Sequence, residues 1–273
     1  MKPPIGRDTR LCMSLAARPS NFGSRFHNRL YERLGLDYVY KAFTTTDLEG
    51  AIRGVRALDV RGCAVSMPFK EAVIPLLDEL AGSAAAINSV NTIVNDDGTL
   101  TGYNTDYSAV RDLLDAAALD PALPFVLRGS GGMAKAVAAA LRDRGHRAGT
   151  IVARNEAAGR ALADTYGFAW HGEVGGGAPL LVNATPIGMS GDDEGALAFP
   201  QALIDACAVA FEVVAIPAET PFLRHARAAG KARIAGTDVA VLQALEQFVL
   251  YTGVRPGADD VAHAAAFARG EVD

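Results

Sequence analysis

The chain has 273 residues, half of them hydrophobic and 21% charged, enough for about two domains of roughly 100 to 150 residues with buried cores, which argues against disorder. Its 26 Lys and Arg stand against 31 Asp and Glu for a net charge of -5, the reverse of the basic excess that binding a phosphate backbone requires, so nucleic acid is not an expected partner. Three scattered cysteines, Cys12, Cys63 and Cys207, lie in apolar stretches as inert thiols of a reducing cytoplasm do, and no run reaches the ~20 apolar residues that span a bilayer, so a soluble, cytoplasmic protein without a membrane partner is expected.

In chain order, Leu11 to Leu15 is a short apolar run read as a strand. Ser14 within this stretch and Arg18-Pro19 behind it argue against a signal peptide. A helix near Arg25 to Leu34, a strand at Asp37 to Ala42 and a helix through Leu48 to Arg56 follow from periodicity. Gly62 to Met67 reads as a buried strand stopped by Pro68, after which Lys70 to Ala81 carries apolar residues at helical spacing. Strands near Ser89 to Asn95 and Thr99 to Tyr103 flank Asp96-Asp97-Gly98, a hairpin turn signal. A helix from Tyr107 leads to the Pro-bounded segment Pro121 to Pro124, read as a linker.

Beyond it the register becomes strand, glycine loop, helix, strand. Phe125 to Arg128 runs into Gly129-Ser130-Gly131-Gly132, then a helix to about Arg144, a strand at Thr150 to Ala153 and a helix from Glu156 to Tyr166. That alternation implies a parallel, helix-covered sheet, extended by strands at Pro179 to Asn183 and Val209 to Val214. Helices from Val239 to Tyr251 and near Asp259 to Arg269 close the chain. The fold class is α/β.

Four groups of residues carry chemistry. The glycines at 129, 131 and 132, between a strand and a helix, let the backbone approach a pyrophosphate while the helix N-terminus supplies positive potential; a tight strand-to-helix turn would use the same glycines. The next strand ends at Ala153-Arg154-Asn155, where an acid would suit the ribose hydroxyls of NAD and a basic residue suits the 2′-phosphate of NADP, so NADP is the expected cofactor. Lys70, behind an apolar strand, and Asp106, in Asn104-Thr105-Asp106 ahead of a helix, form a proton-exchange pair if the two clusters meet; Thr105 and Asp106 also serve as helix N-caps. Asn183-Ala184-Thr185-Pro186-Ile187-Gly188-Met189 ends a strand in a turn suited to border a nicotinamide ring. The histidines, His27 among them, show no ligand spacing, and no metal is expected.

These stretches together resemble the shikimate dehydrogenase family. The carriers are His27-Asn28, AVSMPFKEAVI around Lys70, NSVNTIV around Asn91, GYNTDYSAV around Asp106, GSGGMAKAVAAAL from Gly129, NATPIGM from Asn183 and LQALEQFVLYTG around Gln243. The resemblance implies an N-terminal α/β substrate domain over residues 1–108, a Rossmann-like NADP-binding domain over 109–237, and final helices over 238–273 that return to the first domain, with a cleft between the two domains. It implies Lys70 and Asp106 as the catalytic pair and Asn21, Gly23, Ser66, Asn91 and Gln243 at substrate-binding positions. Gly129, Ser130, Gly131, Gly132, Met133, Ala134, Arg154, Asn183, Thr185 and Pro186 match the cofactor-binding positions.

Some positions depart from the family pattern. Its paired serines that hold the substrate carboxylate are Asn21 and Gly23 here, its threonine is Ser66, its tyrosine is Ala215, and a second basic residue of the NADP signature is Ala158, with Arg160 nearby. The implied reaction is NADP-dependent interconversion of shikimate, a small cyclic polyhydroxy acid, and 3-dehydroshikimate, by a monomer or homodimer. Two alternatives stay open: a paralogue acting on quinate or an amino-substituted analogue, and a dinucleotide-binding regulator without turnover.

Overall fold

The computed structural model describes Lys2 to Asp273, and backbone proximity divides the chain into two compact units, Met1–Thr105 with Val241–Asp273 and Asp106–Ala240. Unit 1 alternates β1 (Arg10–Leu15), α1 (Phe22–Leu34), β2 (Tyr38–Phe43), α2 (Leu48–Ala57) and β3 (Gly62–Val65). Next come α3 (Phe69–Ala72), a 3₁₀ turn (Ile74–Leu76), β4 (Glu79–Leu80), α4 (Gly82–Ala85), β5 (Thr92–Asp96) and β6 (Thr99–Tyr103). The sheet order is β2-β1-β3-β5-β6-β4. Its β1 runs parallel to β2 and β3, whereas β5 is antiparallel to both β3 and β6. The β5–β6 hairpin turns on Asp97 and Gly98 with φ of 51° and 92°, the two left-handed positions that a type I′ turn demands.

The segment expected as one helix from Lys70 to Ala81 is instead α3, the 3₁₀ turn and β4. Pro75 is the cause, because it has no N–H to donate and its ring clashes with the carbonyl four residues earlier. The chain then takes the extended route, with Asp78 Oδ2 accepting from Leu100 N at 2.7 Å and β4 pairing with β6. Helix α1 also begins three residues before the periodic run, at Phe22, with Asn21 at its N-cap making no side-chain capping bond.

Unit 2 takes in α5 (Thr105–Ala116, from Asp106 onward) and then β7 (Phe125–Arg128), α6 (Gly132–Asp143), β8 (Gly149–Val152), α7 (Glu156–Tyr166), β9 (Ala169–His171) and β10 (Leu180–Asn183). It continues through α8 (Gln201–Ala206), β11 (Val209–Glu212), α9 (Pro221–Ala228) and β12 (Ala232–Ile234). All strands are parallel in the order β12-β11-β10-β7-β8-β9. From central β7 the chain goes first to β8 on one side and later to β10 on the other, so the order reverses at β7, where ligands of such sheets bind. The near-continuous burial of β7, β10 and β11 is what a sheet covered on both faces requires.

The last two helices, α10 (Gly236–Thr252) and α11 (Ala258–Arg269), carry the chain back into unit 1. There Phe248 and Tyr251 of α10 and Ala264, Ala265 and Ala268 of α11 pack with Phe26, Leu30 and Tyr31 of α1. Arg61 ties down the end of α10, donating to the Tyr251 carbonyl at 2.9 Å and the Leu250 carbonyl at 3.3 Å, where a cation also meets the negative helix end. The opposite face of the sheet packs Leu15, Val65, Ile93 and Leu100 against Ile52 and Val55 of α2. All three cysteines are buried and unpaired. Among the described residues no helix is long and apolar enough to cross a membrane, and no cluster of His, Cys, Asp and Glu is fit to hold a metal.

His27 sits inside the first core, stacked on Tyr40 at 4.5 Å between ring centroids, with Tyr31, Phe248 and Tyr251 around it. Among the described residues neither ring nitrogen meets hydrogen-bonding geometry with a partner. Burial pushes its pKa down to about 3, the side chain of Gln247 opposing only weakly. The folded chain therefore keeps His27 neutral while the unfolded chain protonates it below its ordinary value of 6.5, so the unfolded form binds the extra proton and stability falls as pH drops through that window. His27→Phe should abolish this slope: between pH 6.5 and 5 the wild type should lose about 2 kcal/mol more than the variant in urea unfolding. Parallel losses in both proteins would remove His27 as the source.

Candidate functional site

In unit 1 the end of β3 and the start of β5 are neighbours because the two strands are antiparallel, with Ala64 opposite Thr92. Ser66 follows β3 directly and is exposed, as are Met67 and Pro68, whose peptide bond is cis. Lys70 lies in α3, and its carbonyl accepts from Val90 N at 2.8 Å, which seats α3 beside the entrance to β5. The next residue, Asn91, is buried. Its carbonyl accepts from Val65 N at 2.8 Å and its N–H donates to the Tyr103 carbonyl at 3.0 Å. The backbone thus draws Ser66, Lys70 and Asn91 to one end of one sheet.

The Asn91 side chain joins this end to α5. Its Oδ1 accepts from Thr105 N at 2.8 Å and from Thr92 Oγ1 at 2.8 Å, and its Nδ2 donates to Thr105 Oγ1 at 3.0 Å. Asn104 is buried as well, its N–H donating to Ser83 Oγ at 3.1 Å and its Nδ2 to the Ser89 carbonyl at 2.9 Å. Asp106 comes next, buried in the first turn of α5, where the positive helix end favours a carboxylate.

Gln243, the residue singled out on α10, is half-buried, and Gln247 one turn later is buried and donates to Thr92 Oγ1 at 3.0 Å and to the Asn91 carbonyl at 3.3 Å. A second glutamine one turn after the first, on the same side of a largely apolar helix, was the available signal for it. Asn21 is exposed at the start of α1, while Gly23 lies against Tyr40: a Cβ there would meet Tyr40 Oη at 3.4 Å, close but ordinary contact.

In unit 2, Gly129 leaves β7 with φ of +130°, a conformation reserved for glycine, and a Cβ there would lie 2.7 Å from the Ala184 carbonyl oxygen. Gly129 N donates to the Val152 carbonyl and Ala184 N to the Arg128 carbonyl, both at 2.8 Å. The glycine loop, the end of β8 and the turn after β10 are thereby fastened together at the carboxyl ends of three adjacent strands. Ser130 and Gly132 are half-buried, Gly131 is the exposed N-cap of α6, Met133 is half-buried and Ala134 is wholly buried.

Arg154 is exposed just past β8. Arg160 pairs with Glu156 at 2.8 Å and lies 4.2 Å over the Trp170 ring. Arg128, which sequence reasoning passed over, is the second cation here. It donates to the Ala198 carbonyl, and burial first and the Arg154 charge second hold its guanidinium below its usual value. A charge closing the apolar run of β7 was its signal.

The turn after β10 is built on side chains. Asn183 is fully buried and its Oδ1 accepts from Thr185 Oγ1 at 2.6 Å and Thr185 N at 3.1 Å, while Pro186 is exposed at the tip. Behind the turn stands Glu212, the one charge in the apolar run from Cys207 to Ile216, fully buried at the end of β11.

Residues 21–93 match the family described as the shikimate dehydrogenase substrate binding domain. The chain is 57% identical to a shikimate dehydrogenase-like protein of Haemophilus influenzae over 97% of this chain and 98% of that one. Among solved structures it superposes on a shikimate 5-dehydrogenase-like protein with a TM-score of 0.94 at 56% identity, covering 97% of this chain and 100% of the other. It also superposes on shikimate 5-dehydrogenase of Thermus thermophilus, solved in complex with NADP(H) and shikimate, with a TM-score of 0.85 at 32% identity over 95% and 99% of the two chains. Likeness that runs nearly end to end in sequence and in fold places the chain in the shikimate dehydrogenase family.

Proposed function

We propose that the chain is an NADP-dependent dehydrogenase that interconverts shikimate and 3-dehydroshikimate in a soluble, cytoplasmic setting. The observation that carries this reading is the gathering of Ser66, Lys70 and Asn91 at one end of the unit 1 sheet by the pairing of β3 and β5. These are three of the positions that match the family's reactive and substrate-holding residues. Lys70 takes the proton from the substrate hydroxyl as that carbon is oxidised, and returns it in reduction. Asp106 accepts hydrogen bonds from substrate hydroxyls. Ser66, Asn91 and Gln243 supply further contacts to the substrate.

The cofactor fits the residues of unit 2. Gly131, at the N-cap of α6, has open space where a side chain would stand, and Arg128 and Arg154 bring two cations to adjacent strand ends, an arrangement that a phosphate group relieves. When bound, NADP accepts the hydride. Ser130, Gly131, Gly132 and Met133 line the phosphates, while Asn183, Thr185 and Pro186 border the nicotinamide.

A panel of cyclic polyols, quinate included, assayed by the absorbance of reduced nicotinamide tests the reading directly; no turnover with any of them would favour a binding protein. Lys70→Ala should lower kcat by about 10²- to 10⁴-fold with a much smaller change in the KM for shikimate, since proton transfer is a transition-state effect. An unchanged kcat would take Lys70 out of the mechanism.

Arg154→Ser should weaken NADP at least tenfold more than NAD, because a guanidinium contact to the 2′-phosphate is charge-assisted and NAD has no phosphate there. Equal losses for both cofactors would mean that Arg154 does not read the phosphate.

A second reading, a paralogue with another substrate, is favoured by Asn21, Gly23 and Ala215 standing where the family has hydroxyls. The Cβ contact of 3.4 Å leaves room for a small side chain at Gly23. If shikimate is the substrate, Gly23→Ser should lower its KM by about tenfold with kcat nearly unchanged, since a hydrogen bond to a charged group contributes roughly 1.5 to 3 kcal/mol in ground and transition states alike. A raised KM for shikimate beside good turnover of another polyol would select the paralogue.

A further inference from the structure

Glu212 has no role in the proton chemistry, yet it is the most completely enclosed carboxylate of unit 2, with no exposed surface. Among the described residues no cation forms an ion pair with it. What surrounds it is a set of donors. Asn183 Nδ2 lies 2.9 Å from Oε1 and 3.1 Å from Oε2, Val214 N donates to Oε1 at 3.0 Å, and Thr220 Oγ1 donates to Oε2 at 2.9 Å. Burial still pushes the carboxyl up to about 7 against these donors. A buried charge held by neutral donors is a costly way to stabilise a core, since well-packed apolar side chains usually do as well. Its use lies in what the bonds orient.

A carboxylate only accepts, so the amide of Asn183 must turn its Nδ2 toward Glu212 and its Oδ1 away. That oxygen collects the Thr185 hydroxyl at 2.6 Å and the Thr185 N–H at 3.1 Å. With its proton spent on Asn183, Thr185 Oγ1 accepts from Ile187 N at 3.2 Å, and Nδ2 closes the ring by donating to the Ile187 carbonyl at 3.0 Å. Ala184, inside this ring, carries the carbonyl against which Gly129 packs. Thr220 backs the other end of the turn, where a Cβ on Gly188 would sit 3.2 Å from its Cβ. With the opposite amide orientation, Asn183 would face the Thr185 N–H with a donor and the Ile187 carbonyl with an acceptor, and the turn would lose both of these bonds.

We propose that Glu212 is a positioning residue for the cofactor: by imposing the amide orientation of Asn183 it sets the Thr185 hydroxyl and the backbone from Ala184 to Ile187 against the glycine loop. This rests on the reading that the turn borders the nicotinamide. Replacing the carboxylate changes no group that touches substrate, so the effect should fall on the cofactor.

The test compares wild type, Glu212→Gln, and the double variant Glu212→Gln with Asn183→Asp, measuring the Kd of NADPH by fluorescence, the KM values of NADP and shikimate, and the thermal midpoint without cofactor. Glu212→Gln sets a donor against Asn183 Nδ2 or Thr220. It should raise the Kd of NADPH and the KM of NADP by about tenfold, as expected for losing a charge-assisted bond, with the KM of shikimate within about twofold. The double variant reverses donor and acceptor across the pair and keeps an acceptor for Thr185 but gives up the bond to the Ile187 carbonyl, so it should recover part of the loss. A lowered midpoint with unchanged NADPH affinity would overturn the proposal, as would a double variant no better than the single one. Should Glu212→Gln fail to fold, Thr220→Val withdraws one donor from the same carboxylate, and an NADPH affinity equal to wild type would count against it equally. Wild-type protein that binds no NADPH would overturn the functional reading, and this inference with it, before any variant is made.

Discussion

Much of unit 1 hangs on the buried side chain and backbone of Asn91. Four elements meet at this residue: β3 through Val65 N, β6 through the Tyr103 carbonyl, α5 through Thr105, and α10 through Gln247. An amide suits the junction because it offers acceptor and donor on one rigid plane, and here the Thr105 N–H and hydroxyl take both. Each of these polar atoms is paired, so the cluster is buried without an orphan, and a satisfied buried network specifies geometry strongly. The spacing from β3 through Ser66 to Lys70, and the placement of Asp106 one residue beyond Thr105, follow from it.

Unit 2 solves a comparable problem with backbone. Gly129 lacks the side chain that would collide with the Ala184 carbonyl, so the first strand-to-helix turn and the turn after β10 close on each other. A left-handed φ and a close contact coincide at that residue, and either alone would exclude most replacements. The parallel sheet supplies the rest: because β7 is flanked by β8 and β10, the three segments that carry Arg128, Arg154 and Asn183 end side by side.

The parts of this arrangement that were legible in the sequence are those where local chemistry decides. Asp97-Gly98 announces its hairpin, the apolar run Phe125–Arg128 followed by glycines announces a buried strand and its loop, and Glu156–Tyr166 opens on the capping Asn155. Local pattern misled at Lys70 to Ala81, where apolar spacing outvoted a single proline. It was silent on β9 and β12, three residues each and too short to show a period. The partners of a polar side chain were hidden for another reason. Nothing in LQALEQ reveals that Gln247 reaches Thr92 and Asn91 until α10 is docked, and nothing around Arg160 reveals that it lies over the Trp170 ring. Such facts belong to tertiary contacts, which periodicity does not encode.

His27 and Glu212 show how far the surroundings decide what a buried ionisable group does. Both are fully enclosed and among the described residues neither forms an ion pair, and burial moves each away from its charged form, the imidazole down to about 3 and the carboxyl up to about 7. His27 finds aromatic rings and no hydrogen-bonding geometry, so it serves as a flat side chain among Tyr40, Tyr31 and Phe248, and its polar atoms only cost stability. Glu212 finds donors on both oxygens, and each donor is part of a segment that must hold its shape. The first group has lost its chemistry to packing. The second keeps enough of it to orient an amide, and because an amide has two unlike ends, that orientation is passed on to the next hydroxyl and the next N–H. Polarity is transmitted through this turn bond by bond, a task no apolar replacement of equal volume performs.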